Sequence, residues 1–377
     1  MKKLVQGLTL TIGLIVSVSS TLQASELEVS EQAFGTLANG TPISLFTLKN
    51  TNGIQANITN YGGILVNLYT PDRDGQLGDI VLGYDTLDGF VNDRSFQGPL
   101  IGRFGNRIAK GKFLLDGKTY QLANNNKTNH LHGGVKGFGK QVWQAKTFIK
   151  AQSVGVTLTR LSHDGEEGYP GNLSVSATYE LYNTDKLTLT FSATTDAATP
   201  INLTQHAYYN LNSEGSIVDH QLTIPASKYT QVDSTSIPLG EHQSVADTPF
   251  DFRQSKAVGS DINDANQQLS YGKGYDHNWV LDKPYGQMGL AVRVESEQSG
   301  RVMEIHSNQP GLQFYSGNFL NGSIQGKNGR NYQYRTAIVL EPQHFPDSPN
   351  QAEFPSTILE PGEVYYNVIE YRFSTIE

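Results

Sequence analysis

Cysteine is absent from the 377 residues. No disulfide can staple the fold, no thiolate can attack a substrate or ligate a metal, and a large core must hold the chain unaided. Basic runs are missing too, and the formal net charge is −8. Nucleic acid, which needs a basic face, is excluded as a partner. Beyond the first two dozen residues no stretch is long and apolar enough to span a bilayer, so the mature chain has no expected membrane span. Amphipathic helical patterns, fixed-period repeats and low-complexity linkers are also lacking.

The first stretch, MKKLVQGLTLTIGLIVSVSSTLQA, sets Lys2 and Lys3 before an apolar run from about Leu8 to Val18 and ends in small and polar residues at Ala24. That is the layout of a cleaved secretory signal peptide (residues 1–24), and the apolar run is too short for an anchor. The mature chain (residues 25–377) is expected to be exported as one domain. The periplasm is its expected destination, with secretion into the medium as the alternative.

What remains is strand material. Hydrophobic residues make up 37 % and charged residues 17 %, enough for a core and with little sign of disorder. Runs such as GILVNLYT, GVTLTRLS, LSVSATYELYN and KLTLTFSATT are rich in Val, Ile, Leu, Thr and Tyr, and turn signals such as DRDG, LDGK and NTDK separate them. KLTLTFSA alternates strictly, as a strand with one buried face does. The expected fold class is all-β, a large and mostly antiparallel β-sandwich.

Five stretches could carry chemistry. In PINLTQHAYYNLN, residues 200–212, one face of an expected strand carries Asn202, Thr204, His206, Tyr208 and Asn210. Such a face reads as the lining of a polar cleft, or as a hydrogen-bonded surface. In TAIVLEPQHFPD, residues 336–347, Glu341 closes a run that is apolar on both faces. A carboxylate there is costly unless paired, and partial burial would raise its pKa toward that of a useful base. GPLIGRFGNRIAKG, residues 98–111, sets Arg103 or Arg107 among tight turns, where a guanidinium suits hydrogen bonding to several oxygens. KGYDHNWVLD, residues 273–282, puts Asp276 near aromatics, either for sugar hydroxyls or as a capped turn. TNHLHGGVKGFGK, residues 128–140, places His130 and His132 on one side if it is extended.

Other motifs fail. PDRDGQLGD opens like a calcium loop, but its twelfth position is Gly83. GKNGR lacks the rest of a phosphate loop, and no G-x-S-x-G elbow exists. No third ligand stands at zinc spacing from His130 and His132. DGEEGYPG, residues 164–171, reads as a solvated hairpin loop.

Taken together, PDRDGQLGDIVLGYDTLDGF, GRFGNRIAKGKF, NHLHGGVKGFGKQVW, DGEEGYPGNL, GYDHNWVL, PGLQFYSGNFLNG and LEPQHFPDSPNQ, in this order, resemble the galactose mutarotase (aldose 1-epimerase) family from about Phe34 to Tyr371. The resemblance implies a β-sandwich with an open sugar cleft, no cofactor and no metal. It implies a catalytic glutamate at Glu341 and an acid histidine at His206. Arg103, His132, Asp276, Gln313 and Asn106 are the implied sugar-binding residues. Gln205, Ala207, Pro342, His344 and Phe345 depart from the family's usual residues without removing a titrating group. The implied activity interconverts the anomers of a free aldohexose such as galactose or glucose, with a small aldose as the partner of a monomer or a dimer. The rival readings are a glycoside hydrolase using Glu341 and Asp276, a non-catalytic sugar-binding sandwich, and a hexose-6-phosphate epimerase.

Overall fold

Strand Lys186–Thr195, the alternating run, lies near the middle of a nine-stranded antiparallel sheet. Hairpins build one side of that sheet: Gln144–Lys150, Ser153–Ser162 and Leu173–Tyr182 pair in sequence before reaching it. On its other side stands the long strand Tyr365–Thr375, followed by Arg301–Ser307 and Gly289–Glu295. The computed structural model describes Met1 and residues 26–376. The expected signal peptide therefore lies, Met1 aside, outside the described residues.

A five-stranded sheet covers Glu28–Thr36 to Leu77–Asp79. A six-stranded sheet runs in the order Tyr208–Tyr209, Ile338–Gln343, Gly311–Tyr315, Asp276–Val280, Lys228–Val232 and Pro238–Ser244. Every paired strand is antiparallel to its neighbour, in keeping with hairpin connections. One continuous core joins the three sheets, holding Leu48 and Ile58 of the first, Leu158, Leu189 and Ile369 of the largest, and Trp279, Phe314 and Leu340 of the third. The fold is thus the all-β antiparallel architecture expected. Two six-residue helices, Leu87–Asn92 and Gln267–Gly272, escape the strand reading. Both are too short to show a helical repeat, and each starts on a capping side chain, Thr86 or Asn266. No helix of the described residues is long and apolar enough to cross a membrane.

The six-stranded sheet positions the chemistry. All six residues of Ile338–Gln343 are buried, as a strand apolar on both faces should be. Its neighbour Gly311–Tyr315 is buried throughout as well, and sets Gln313 opposite Glu341.

Candidate functional site

A cleft of about 1040 Å³ opens at the edge of this sheet, at the upper end of the range for small-molecule sites. Glu341, His206, His132, Asp276, Asn106 and Arg107 all line it. Five stretches far apart in sequence therefore converge.

Glu341 is 1 % exposed, with Oε2 buried and without a partner. Burial pushes its pKa well above the usual carboxylate range; Asp276 adds to this, and the Arg107 guanidinium opposes it. Its Oε1 lies 3.8 Å from His206 Nε2.

His206 does not sit in the middle of a continuous strand, contrary to the sequence reading. Thr204–Gln205 pairs with Leu100–Ile101, whereas Tyr208–Tyr209 pairs with Ile338 and Val339 of the glutamate's strand. His206 occupies the gap, its N–H donating to Pro99 O and its carbonyl accepting from Gly98 N–H. Burial pushes its pKa down to about 4. Its ring is boxed by His132 at 5.1 Å, Tyr208 at 5.3 Å and Phe96 at 5.9 Å between centroids.

The H-x-H pair separates because extension stops at Leu131. His130 and Leu131 pair with Ile108 and Arg107, but His132 takes a left-handed φ of 51°. His130 turns to the interior, where Nδ1 donates to Ala123 O at 2.7 Å and Nε2 accepts from Tyr169 Oη at 2.7 Å. His132 turns into the cleft. Gly133, at φ 79°, passes so near the Gly102 carbonyl that a Cβ would lie 1.8 Å from its oxygen. The glycine thus serves a backbone–backbone approach, not an approach to the ligand.

The tautomer of His132 follows from its partner. The Asn106 backbone N–H donates to His132 Nδ1 at 3.2 Å, so the neutral ring carries its proton on Nε2. Burial, then His206 and Arg107, hold its pKa well below the ordinary value, so it stays neutral. His132, His206 and Glu341 have ligand atoms within 4.8 Å of one another, the composition of a two-histidine, one-carboxylate metal set. With Nδ1 engaged by an N–H and Nε2 protonated, His132 has no lone pair to give, and the set does not fit a metal. His132 instead offers one fixed hydrogen-bond donor.

Asp276 lines the cleft and accepts a 2.8 Å bond from Gln313 Nε2. Gln313 is buried behind it and meets the cleft through Asp276. Asn106, at φ 60°, lines the cleft; besides its N–H bond to His132, its carbonyl accepts from the His132 N–H.

Arg103 requires a correction. It is 2 % exposed and does not line the cleft. Its Nη1 donates to Pro170 O, Gly171 O and Thr199 Oγ1, and its Nη2 to Ser162 O, Ser162 Oγ and His163 O. Such a guanidinium knits loops together and has no reach to a sugar. Arg107, the other arginine of the stretch, lines the cleft instead. It makes only long bonds, to Asn126 Oδ1 at 3.3 Å and Asn106 Oδ1 at 3.5 Å. DGEEGYPG is likewise more than a solvated loop. Glu167 accepts from the Val135 and Lys136 N–H groups, Tyr169 holds His130, and Pro170 and Gly171 bind Arg103. Phe96, whose ring lies 4.8 Å from that of His132, has no sequence signal beyond being aromatic in a turn-rich segment.

The chemistry available is a buried acid/base pair, with an uncharged donor, a guanidinium and a carboxylate around it. A sequence profile of the aldose 1-epimerase family matches residues 44–372. A galactose mutarotase from Bos taurus is 41 % identical over 351 residues, covering 92 % of this chain and 99 % of its own. An aldose 1-epimerase from Escherichia coli K12 is 36 % identical, over 89 % of this chain and 96 % of its own. Among solved structures, a GalM/aldose epimerase homologue from C. elegans aligns with a TM-score of 0.81 at 32 % identity, covering 88 % of this chain and 99 % of its own. A galactose 1-epimerase from Lactobacillus acidophilus NCFM aligns with a TM-score of 0.83 at 27 % identity, covering 93 % of this chain and 100 % of its own.

Proposed function

This chain belongs to the aldose 1-epimerase family, and on that premise we propose that it interconverts the α and β anomers of free aldohexoses such as galactose and glucose. The observation that carries the reading is the buried Glu341–His206 pair, 3.8 Å apart, at the floor of a polar cleft. Ring opening needs a proton taken from the C1 hydroxyl and one delivered to the ring oxygen. Glu341, ionised, takes the first while His206, protonated, gives the second; rotation about C1–C2 and reversal of both transfers close the ring on its other face. Each positioned group contributes about 10² to 10⁴ in rate.

The electrostatics support this assignment in a specific way. Burial raises Glu341 and lowers His206, so the cleft favours a carboxylic acid beside a neutral imidazole. That neutral pair is the state the two groups reach once the ring has opened. Burial therefore disfavours the ion pair of the closed-ring complex and favours the open-chain stage, which lowers the climb between them. His132 donates from Nε2 and Arg107 from its guanidinium to sugar oxygens. Asp276, braced by Gln313, accepts from hydroxyls, and Asn106 holds His132 in register.

The direct test follows optical rotation after pure α-D-galactose is dissolved with the protein. Relaxation no faster than in buffer, with bound sugar detected, would favour a non-catalytic sugar-binding sandwich. A pH profile adds a second check. Below about pH 4 His206 takes a second proton, so the pair can no longer accept one from C1. Above the raised pKa of Glu341 the pair holds no proton for the ring oxygen. The expected kcat/KM profile is bell-shaped, falling on both sides. Because the Asp276 charge helps raise Glu341, its alkaline limb should move to lower pH in Asp276→Asn.

The lysine pair and apolar run of residues 1–24 support export, with the periplasm as destination and residues 25–377 as the working domain. Mass spectrometry of protein purified from the host tests this: a chain starting at Ser25 is expected, and an intact Met1 in the exported fraction would refute it.

A further inference from the structure

Arg335 is 7 % exposed, yet it has no counter-charge. Its Nε is buried without an acceptor, and among the described residues its guanidinium forms no ion pair and donates no hydrogen bond. Its one close companion is the ring of Tyr334, 4.5 Å from the guanidinium carbon. The backbone fixes it in place: φ is 58°, its N–H donates to Gly317 O, and its carbonyl accepts from Ile217 N–H. A largely buried arginine whose Nη groups reach the surface with no acceptor from the described residues is a group prepared for an acceptor from outside.

Arg335 lines a cavity of about 430 Å³ that is separate from the sugar cleft but shares one wall residue with it, Lys273. Lys273 is exposed, and its ammonium contacts the Phe319 ring at 5.6 Å and no carboxylate among the described residues. The cavity's one lining carboxylate, the exposed Asp264, lies beyond ion-pair distance of both cations. Two unmatched cations against one carboxylate is the reverse of the chain's overall balance of −8.

We propose that Arg335 and Lys273 form a binding site for a small oxyanion, phosphate or carboxylate, beside the sugar cleft. The planar fork of Arg335 takes two oxygens of the anion, and Lys273 supplies a point charge from the cleft side. Because Lys273 faces both cavities, the oxyanion can arrive free or as an acidic substituent of a saccharide lying in the cleft. The site does not depend on the anomer-exchange reading.

The test is calorimetric titration of the full chain at constant ionic strength, with galactose saturating the cleft when phosphate is titrated and the cleft left free when the uronate is. Inorganic phosphate is one arm and D-galacturonate the other. Saturable phosphate binding in the wild type, weakened about tenfold in Arg335→Gln and several-fold in Lys273→Gln, is expected. A galacturonate affinity that exceeds that of galactose in the wild type and falls to it in Arg335→Gln would assign the site to saccharide-borne acids; phosphate binding without that gain would assign it to the free ion. Should Arg335→Gln fail to fold, as judged by thermal melting, Arg335→Lys keeps the charge but not the fork and should still weaken binding several-fold. No binding of either probe to the wild type, or affinities unchanged in all three variants, overturns the proposal.

Discussion

Replacing Glu341 with Gln should slow anomer exchange of galactose by about 10²- to 10⁴-fold, the usual worth of a general base, since the amide cannot accept the C1 proton. The fold should survive. Among the described residues Glu341 makes no ion pair except the 3.8 Å approach to His206, and one of its oxygens is already unpartnered. The amide has nearly the same shape and removes a carboxylate whose burial is unfavourable, so the melting temperature should hold or rise. A variant that relaxes the sugar as fast as the wild type ends the assignment of Glu341 as base. A variant that loses activity and also melts early would leave only a structural role, so both readings are needed from one preparation.

The two arginines of GRFGNR should separate cleanly. Arg103→Met leaves buried acceptors from Ser162, Pro170, Gly171 and Thr199 without donors. We expect a loss of about 3 to 5 kcal/mol in unfolding free energy, as for other broken buried charge contacts. Arg107→Met removes a half-buried guanidinium that makes only long bonds among the described residues. Its stability should change little, while kcat/KM falls about 10²- to 10³-fold, the usual cost of a lost donor to developing charge. Urea unfolding and optical rotation read the two effects. The opposite pattern, a stable and inactive Arg103→Met with an active Arg107→Met, would restore Arg103 to the cleft.

That contrast shows where sequence reasoning reached its limit. Burial on both faces of Ile338–Leu340 and a carboxylate at the end of the run were readable from residue types alone, and the strict alternation of Lys186–Thr195 was as clear. Local spacing could not say which arginine faces the cleft. The answer depends on acceptors at 162–171 and 199, which come together with Arg103 only when the sheets assemble. His132 illustrates a second kind of blindness: a left-handed φ at one non-glycine residue ends a strand that period-two logic would continue. The role of DGEEGYPG was hidden for the first reason, since a turn full of acids looks solvated until its partners at Val135, Lys136 and His130 are known.

The interrupted strand around His206 carries a consequence for how the pair is kept in step. The histidine and the glutamate ride on adjacent ribbons, joined at Tyr208–Val339 and Tyr209–Ile338. Side chains alternate along such a ribbon, so displacing it by one rung would present Leu340 or Pro342 where Glu341 now stands. The spacing of acid and base is thus counted in whole rungs. A worn or loosened ladder gives no graded decline in alignment, only the pair or its absence.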